Sequence, residues 1–186
     1  MDIIQYLRTQ HLCTDEDVEQ ILKFVHRKTF AKKELILPVE NTSKNMFFIE
    51  QGIARVFYAK KDKDVTLYFL QENKIGLPID SIFYNQVCKF GIEALTETKV
   101  AVITYEHWAN FSKDNFSLQQ FSQQLMIEYI KNATDRIYNL KFQTPKERYD
   151  TMLIEFPSIF LQIPLGHIAS YLGITQETLS RLRAKK

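Results

Sequence analysis

Residues able to hydrogen-bond to a regular, polar partner crowd into the last stretch of the chain. Thr175, Gln176, Glu177, Thr178, Ser180 and Arg181 fall close together, and Arg183, Lys185 and Lys186 follow at once. Read as a helix, this stretch turns Leu179 and Leu182 one way and the polar residues the other. Their chemistry suits nucleic acid. The Arg181 guanidinium can give two parallel hydrogen bonds to a guanine edge, and Gln176 can pair with adenine. Glu177, one turn before Arg181, can accept from a cytosine amino group or orient the arginine. As an ordinary i,i+4 surface ion pair the two would contribute only about 0.3–0.5 kcal/mol. Thr175, Thr178 and Ser180, with the free amides of the helix start, suit phosphate oxygens. Arg183, Lys185 and Lys186 are weaker candidates, because basic residues at a terminus are usually just solvated.

Such a face works only if the element before it holds it in place. Leu165 to Ala184 fits the helix-turn-helix template. Two helices that meet steeply need a small residue where they touch, and Ala169 stands there. The tight turn needs positive φ, and Gly173 follows four positions on. Ile168, Leu172, Ile174, Leu179 and Leu182 would pin both helices to a core. Pro164 precedes the first helix, and Thr175 is a good N-cap for the second. A buried helical hairpin would share the apolar pattern, but not the polar outward face.

Upstream, Thr144-Pro145-Lys146-Glu147 combines a capping box with proline at the first helical position, and Pro157 ends the helix that follows. From about Asn115 to Leu140 there is neither Pro nor Gly. Met126, Ile130, Ala133, Ile137 and Leu140 step by 4, 3, 4, 3, a coiled-coil-like seam. Phe121, Leu125 and Tyr129 lie off it, so the helix carries two apolar faces, one for its own barrel and one for a second subunit. A single wide stripe buried inside a monomer is the alternative. From about Phe30 to Tyr105 the runs ELIL, MFFIE, IARVFYA, VTLYFL, FGIEAL and VAVITY read as short strands of a small barrel or sandwich. Lys60 to Asp64 reads as a hairpin tip, and Gly52 as a reversal. The first 25 or so residues read as helix, with Thr14 and Asp17 as a capping box before Val18, Ile21, Leu22 and Val25.

Composition removes several classes. With 186 residues, 45% hydrophobic and 25% charged, the chain reads as one large or two small soluble globular domains. The net charge of +2 is unevenly placed: net −1 up to Ser112 and +3 from Lys113 onward, which suits an anionic partner for the C-terminal end. Cys13 and Cys88 form no C-x-x-C, which excludes a cysteine-held zinc or iron–sulfur site and fits a reducing cytosol. His11, His26, His107 and His167 are scattered, with none expected in a barrel strand, so no metal-holding cupin and no other enzyme site is indicated. No signal peptide, apolar run of membrane-spanning length or Gly-rich phosphate loop is present, and a cytoplasmic location is expected.

The stretch TPKERY…FP…IPLGHIASYLGITQETLSRLRAKK, behind strands and a long helix, resembles the Crp/Fnr family of transcription regulators. The likeness runs through the whole chain and is most specific in IASYLGITQETLSR and ERY; in the strand region it rests on layout and Gly52. It implies an α+β fold: an N-terminal β-roll like a cyclic-nucleotide-binding domain (a double-stranded β-helix or jelly-roll-like element) over 1–112, a dimerisation helix over 113–141, and a C-terminal winged helix-turn-helix over 142–186. It also implies base reading by Gln176, Glu177 and Arg181, a palindromic double-stranded operator, a homodimer, an unidentified small-molecule effector and RNA polymerase as partners, and no resident cofactor, metal or membrane contact. Two departures stand out. Little sequence follows the last helix, so the wing strands should be missing or reduced, and an adaptor that no longer binds DNA is the alternative function. Members that bind cyclic nucleotides hold the phosphate with an arginine and a Gly-Glu pair, whereas here Gly76 precedes Leu77 and no arginine occurs between Arg55 and Arg136. Cyclic AMP is therefore not expected as a tight effector. The equivalent segment, about Lys74 to Glu93, offers Asp80, Ser81, Tyr84, Asn85 and Lys89 as pocket residues, or a loop over a filled interior.

Overall fold

A computed structural model describes residues 1–9, 14–60 and 63–184. Two helices, α1 (Ile3–Thr9) and α2 (Asp15–Leu22), open the chain. The strands β1 (His26–Phe30), β2 (Leu35–Leu37), β3 (Asn45–Gln51), β4 (Ala54–Lys60), β5 (Lys63–Leu70) and β6 (Ile75–Gly76) follow, then α3 (Ile79–Tyr84), β7 (Phe90–Ala94) and β8 (Thr98–Thr104). The rest is helical: α4 (Tyr105–Ser112), α5 (Phe116–Phe142), α6 (Pro145–Glu155), α7 (Ile159–Gln162), α8 (Leu165–Leu172) and α9 (Gln176–Ala184). The chain divides into two compact units, residues 1–125 and 126–186, and α5 runs through the division.

In the first unit two four-stranded antiparallel sheets, ordered β1-β8-β3-β6 and β2-β7-β4-β5, face each other. Leu37, Phe47, Val56, Leu70, Ile92 and Val102 are among the buried side chains that fill the space between them. The apolar run Met46–Ile49 shows why β3 does not alternate with polar residues. Phe47 and Ile49 enter the space between the sheets, while Met46 and Phe48 face the other way into a second cluster. That cluster holds Ile3 and Leu7 of α1, Val18 and Ile21 of α2, Trp108 of α4, and Leu118 and Phe121 of α5. A strand covered on both faces reads as a continuous apolar run.

Local signals set several boundaries. Thr14 and Asp17 close the expected capping box on α2. Asn115 caps α5 by accepting from the Leu118 amide at 3.1 Å. Gly52 has φ 91° where the chain passes from β3 in one sheet to β4 in the other. Three expectations are corrected. The N-terminal helical stretch is two helices ending at Leu22, because Val25 already leads into a strand. The strands begin at His26, since β1 reads HRKTF, is largely exposed and is held by pairing with β8 rather than by apolar content. One histidine therefore does lie in a barrel strand. Of the expected hairpin tip, residues 61 and 62 lie outside the described residues, as do His11, Cys13, Lys185 and Lys186.

The second unit's described elements are helices. Tyr149, Met152, Ile159, Ile168, Leu172 and Leu179 are all buried, each at 5% exposure or less. No helix among the described residues is long and apolar enough to cross a membrane.

Candidate nucleic-acid interface

The helix-turn-helix is built from local rules. Ile168, Ala169 and Leu172 bury one face of α8, and Gly173 ends it in the left-handed region at φ 66°. The Gly173 amide reaches the carbonyls of Ala169 and Ser170, and the Ile174 amide donates to Ala169 O at 3.0 Å. This closure satisfies carbonyls that the end of a helix leaves without partners. Thr175 then starts α9, its hydroxyl accepting from the Thr178 amide at 3.2 Å. Leu179, fully buried, anchors α9 by an apolar contribution of about 1.5–3 kcal/mol.

Anchoring α9 by Leu179 leaves the other side in solvent. Thr175, Gln176, Glu177, Ser180 and Arg181 are exposed, and Thr178 is half-buried. The Thr175 and Thr178 hydroxyls lie 3.2 Å apart. Glu177 makes no carboxylate–guanidinium pair with Arg181: Arg181 Nε donates to the Glu177 backbone carbonyl at 3.4 Å. The Glu177 carboxyl is held below the usual carboxylate range by its own amide and then by the Thr175 hydroxyl, with a smaller pull from the Arg181 charge. Arg181 therefore keeps its outer nitrogens for an incoming acceptor. Gln176 crosses toward α8 at Gly166, where a Cβ would stand 2.9 Å from Gln176 Nε2. Nothing in the sequence spacing marks that approach.

Behind this face lies a group that sequence reading did not find. Arg136 of α5 donates through Nη2 to the Tyr171 carbonyl and stacks on the Tyr171 ring, 4.0 Å from its centre. Arg148 of α6 donates to Leu172 O at 2.8 Å and to Gln143 O at 2.6 Å. Both arginines thus sit at the carboxyl end of α8. The ERY motif was the available signal for Arg148; Arg136 carried none.

The five residues named for an effector pocket fall on α3 and the turn after it. Asp80, Ser81 and Tyr84 belong to α3, Asn85 caps it with φ 53°, and Lys89 precedes β7. Tyr84, Asn85 and Lys89 are exposed. Ser81 is buried; its hydroxyl donates to Gln86 O at 2.8 Å and lies 3.1 Å from Cys88 Sγ. None of the five lines the small cavity of about 20 Å³ under α1, whose walls include Tyr6, Met46, Phe48, Ile103, Trp108 and Phe121. Among the described residues no group of three or more His, Cys, Asp or Glu side chains is placed to hold a metal ion.

Residues 27–115 match the cyclic nucleotide-binding domain. In sequence the chain is similar to the fumarate and nitrate reduction regulatory protein of Vibrio cholerae, with 25% identity over 182 residues spanning 90% of this chain and 72% of the relative. In structure it is similar to FixK2 from Bradyrhizobium japonicum, with a TM-score of 0.76 and 17% identity over 87% of this chain and 83% of that one. It is also similar to a protein from Eubacterium rectale described as a transcriptional regulator of the Crp/Fnr family, with a TM-score of 0.74 and 19% identity over 96% and 85% of the two chains. Within the matched domain the arginines are Arg27 and Arg55. Arg27 pairs with Glu50 at 3.1 Å, and Arg55 pairs with Glu93 and Asp64 at 2.6 Å each. Ala54 and Val56 point into the space between the sheets, so Arg55 lies on the other face of β4, where it is nonetheless buried. At Gly76 an added Cβ would meet Ile92 Cδ1 at 2.9 Å and Leu70 Cδ1 at 3.1 Å.

Proposed function

We propose that this chain, a member of the Crp/Fnr family of transcription regulators, acts as a cytoplasmic homodimer that reads a palindromic operator in double-stranded DNA. The observation that carries the reading is the polar face of α9, exposed and backed by a buried, capped helix-turn-helix. Gln176, Glu177 and Arg181 would meet base edges, and Thr175, Thr178 and Ser180 would meet phosphates. Residues 113–141 would join two copies. On α5, Met126 is 40% exposed, Ile130 60%, Ile137 57% and Leu140 46%, an apolar stripe that a second copy would cover. The resulting pair would set its reading helices about one turn of DNA apart. RNA polymerase is the partner that such a regulator meets at a promoter.

Residues 1–112 form the sensor in this reading, and a cyclic nucleotide does not fit them. Its phosphate needs a free guanidinium, yet Arg27 and Arg55 are both held by carboxylates, and Arg55 is buried on the face of β4 opposite Ala54 and Val56. Gly76 is followed by Leu77, and the space beside Gly76 is taken by Ile92 and Leu70. An effector would instead meet the roll along Asp80 to Lys89, where Tyr84, Asn85 and Lys89 reach solvent.

The test is to select DNA from a random pool with the intact chain and then measure affinity against salt. A reader of this kind loses affinity steeply as salt rises. Arg181→Ala should weaken binding by about 1–3 kcal/mol and relax the preference at one base pair. Unchanged affinity and preference in Arg181→Ala would remove the base-reading role from that residue.

A further inference from the structure

The two arginines at the end of α8 are not explained by base reading or by dimer formation. The last carbonyls of a helix lack intrahelical partners and carry partial negative charge. Here that end is gripped from two other helices. Arg136 reaches Tyr171 O from α5, and Arg148 reaches Leu172 O from α6 while also holding Gln143 O, in the link between α5 and α6. Gly173 follows directly, and an added Cβ there would stand 3.3 Å from Leu140 Cδ2, so α5 abuts the turn itself.

The grip is costly in a way that simple anchoring would not require. Arg136 Nε is buried without a hydrogen-bond partner. Burial and the neighbouring Arg148 charge both work against the Arg136 charge, while Tyr171 and Glu155 favour it. A methionine or leucine could fill the same space beside Tyr171 without burying a cation. What the guanidinium adds is direction: a fixed hydrogen bond to one carbonyl and a planar stack on one ring.

We propose that Arg136 is a positioning residue that fixes the angle between α5 and the helix-turn-helix, and so sets which half-site spacing the dimer accepts. The inference rests on the DNA-reading proposal above. If α5 joins two copies, any freedom between α5 and α8 becomes freedom in the separation and rotation of the two reading helices. The proposed reading residues are on α9, whereas Arg136 touches Tyr171 on α8 and acts through charge with Arg148 and Glu155, so contacts to a single half-site are not expected to depend on it.

The experiment uses the intact chain and an operator selected by the wild type. Affinity is measured by fluorescence anisotropy for the full operator, for one half-site alone, and for operators with one base pair added or removed between half-sites, which turns a half-site by about 35°. The wild type should disfavour the altered spacings by about tenfold or more. Arg136→Met should keep half-site affinity and dimer formation but lose most of that discrimination. Arg136→Lys, which keeps the charge and one donor but not the planar stack, should fall between the two. Arg136→Lys carries the same test if Arg136→Met does not fold. Retention of the wild-type spacing preference by the variant would overturn the inference. So would an equal loss on half-site and full operator, which would mean damage to the reading unit rather than to its pose. A wild type that selects no operator would overturn both proposals, a result distinct from either of these.

Discussion

Gly52 and Gly173 both have positive φ, at 91° and 66°, yet alanine should be far worse at the first. The backbone term is shared: an L-residue held in the left-handed region costs about 1–2 kcal/mol. The steric term differs. At Gly173 the new methyl would stand 3.3 Å from Leu140 Cδ2, the end of a flexible side chain that can move aside. At Gly52 it would stand 2.3 Å from the Glu97 carbonyl oxygen and 3.0 Å from Thr98 Cα, both backbone atoms. That backbone is tied down: Ile53 N donates to Thr96 Oγ1 at 2.9 Å, Leu95 N donates to Ile53 O at 2.7 Å, and Thr98 Oγ1 donates to the same carbonyl at 3.2 Å. Forcing the two crossings apart should add about 1–3 kcal/mol. Gly52→Ala is therefore expected to lose about 2–5 kcal/mol, and Gly173→Ala about 1–2 kcal/mol. Gly173→Asn should lose less than Gly173→Ala, because asparagine tolerates this conformation. Urea unfolding would be followed by far-ultraviolet circular dichroism for all three variants, and for Gly52→Ala also by the fluorescence of Trp108, the single tryptophan, buried in the first unit. A Gly52→Ala protein within about 0.5 kcal/mol of wild type, or one less damaged than Gly173→Ala, would refute the close-approach reasoning.

Two further outcomes follow from the helices. If the proposed dimer forms through α5, Ile130→Asp or Ile137→Asp should give a folded monomer in sedimentation, since both side chains are more than half exposed within one chain; a dimer of undiminished affinity would exclude that face. The Glu147 carboxyl is held below its usual range by the Thr144 amide and then the Thr144 hydroxyl. A depressed folded pKa means that its contribution is present above the unfolded value and lost as pH falls through the folded one. The melting difference between wild type and Glu147→Ala should therefore shrink on acidification, and a difference independent of pH would rule out the carboxylate as the capping group.

The helix-turn-helix could be read from the amino acids alone because each of its requirements is local. Ala169, Gly173, Thr175 and Leu179 lie within eleven positions, and each answers to backbone geometry or burial on one helix face. The Thr144–Glu147 box and the proline at the start of α6 are equally local. β1 was missed because HRKTF lacks apolar alternation, and its pairing with Val100 and Val102 lies some seventy residues away. The two-residue β6 was missed because it is too short for any period to show.

Chemistry assembled across the chain needed the folded structure. Arg136 and Tyr171 are 35 positions apart, Arg148 and Leu172 are 24, and Arg55 and Glu93 are 38. An arginine carries the same letter whether it waits for a phosphate or already holds a carboxylate. Its hydrogen-bond donors can be assigned only when its neighbours are known. By itself the sequence determined that the last helix presents a polar face and that a long apolar seam precedes it, since periodicity alone decides both. Tertiary packing decided that the arginines of the first unit are occupied and that two more grip α8, because the partners of a charge are brought near only by the fold.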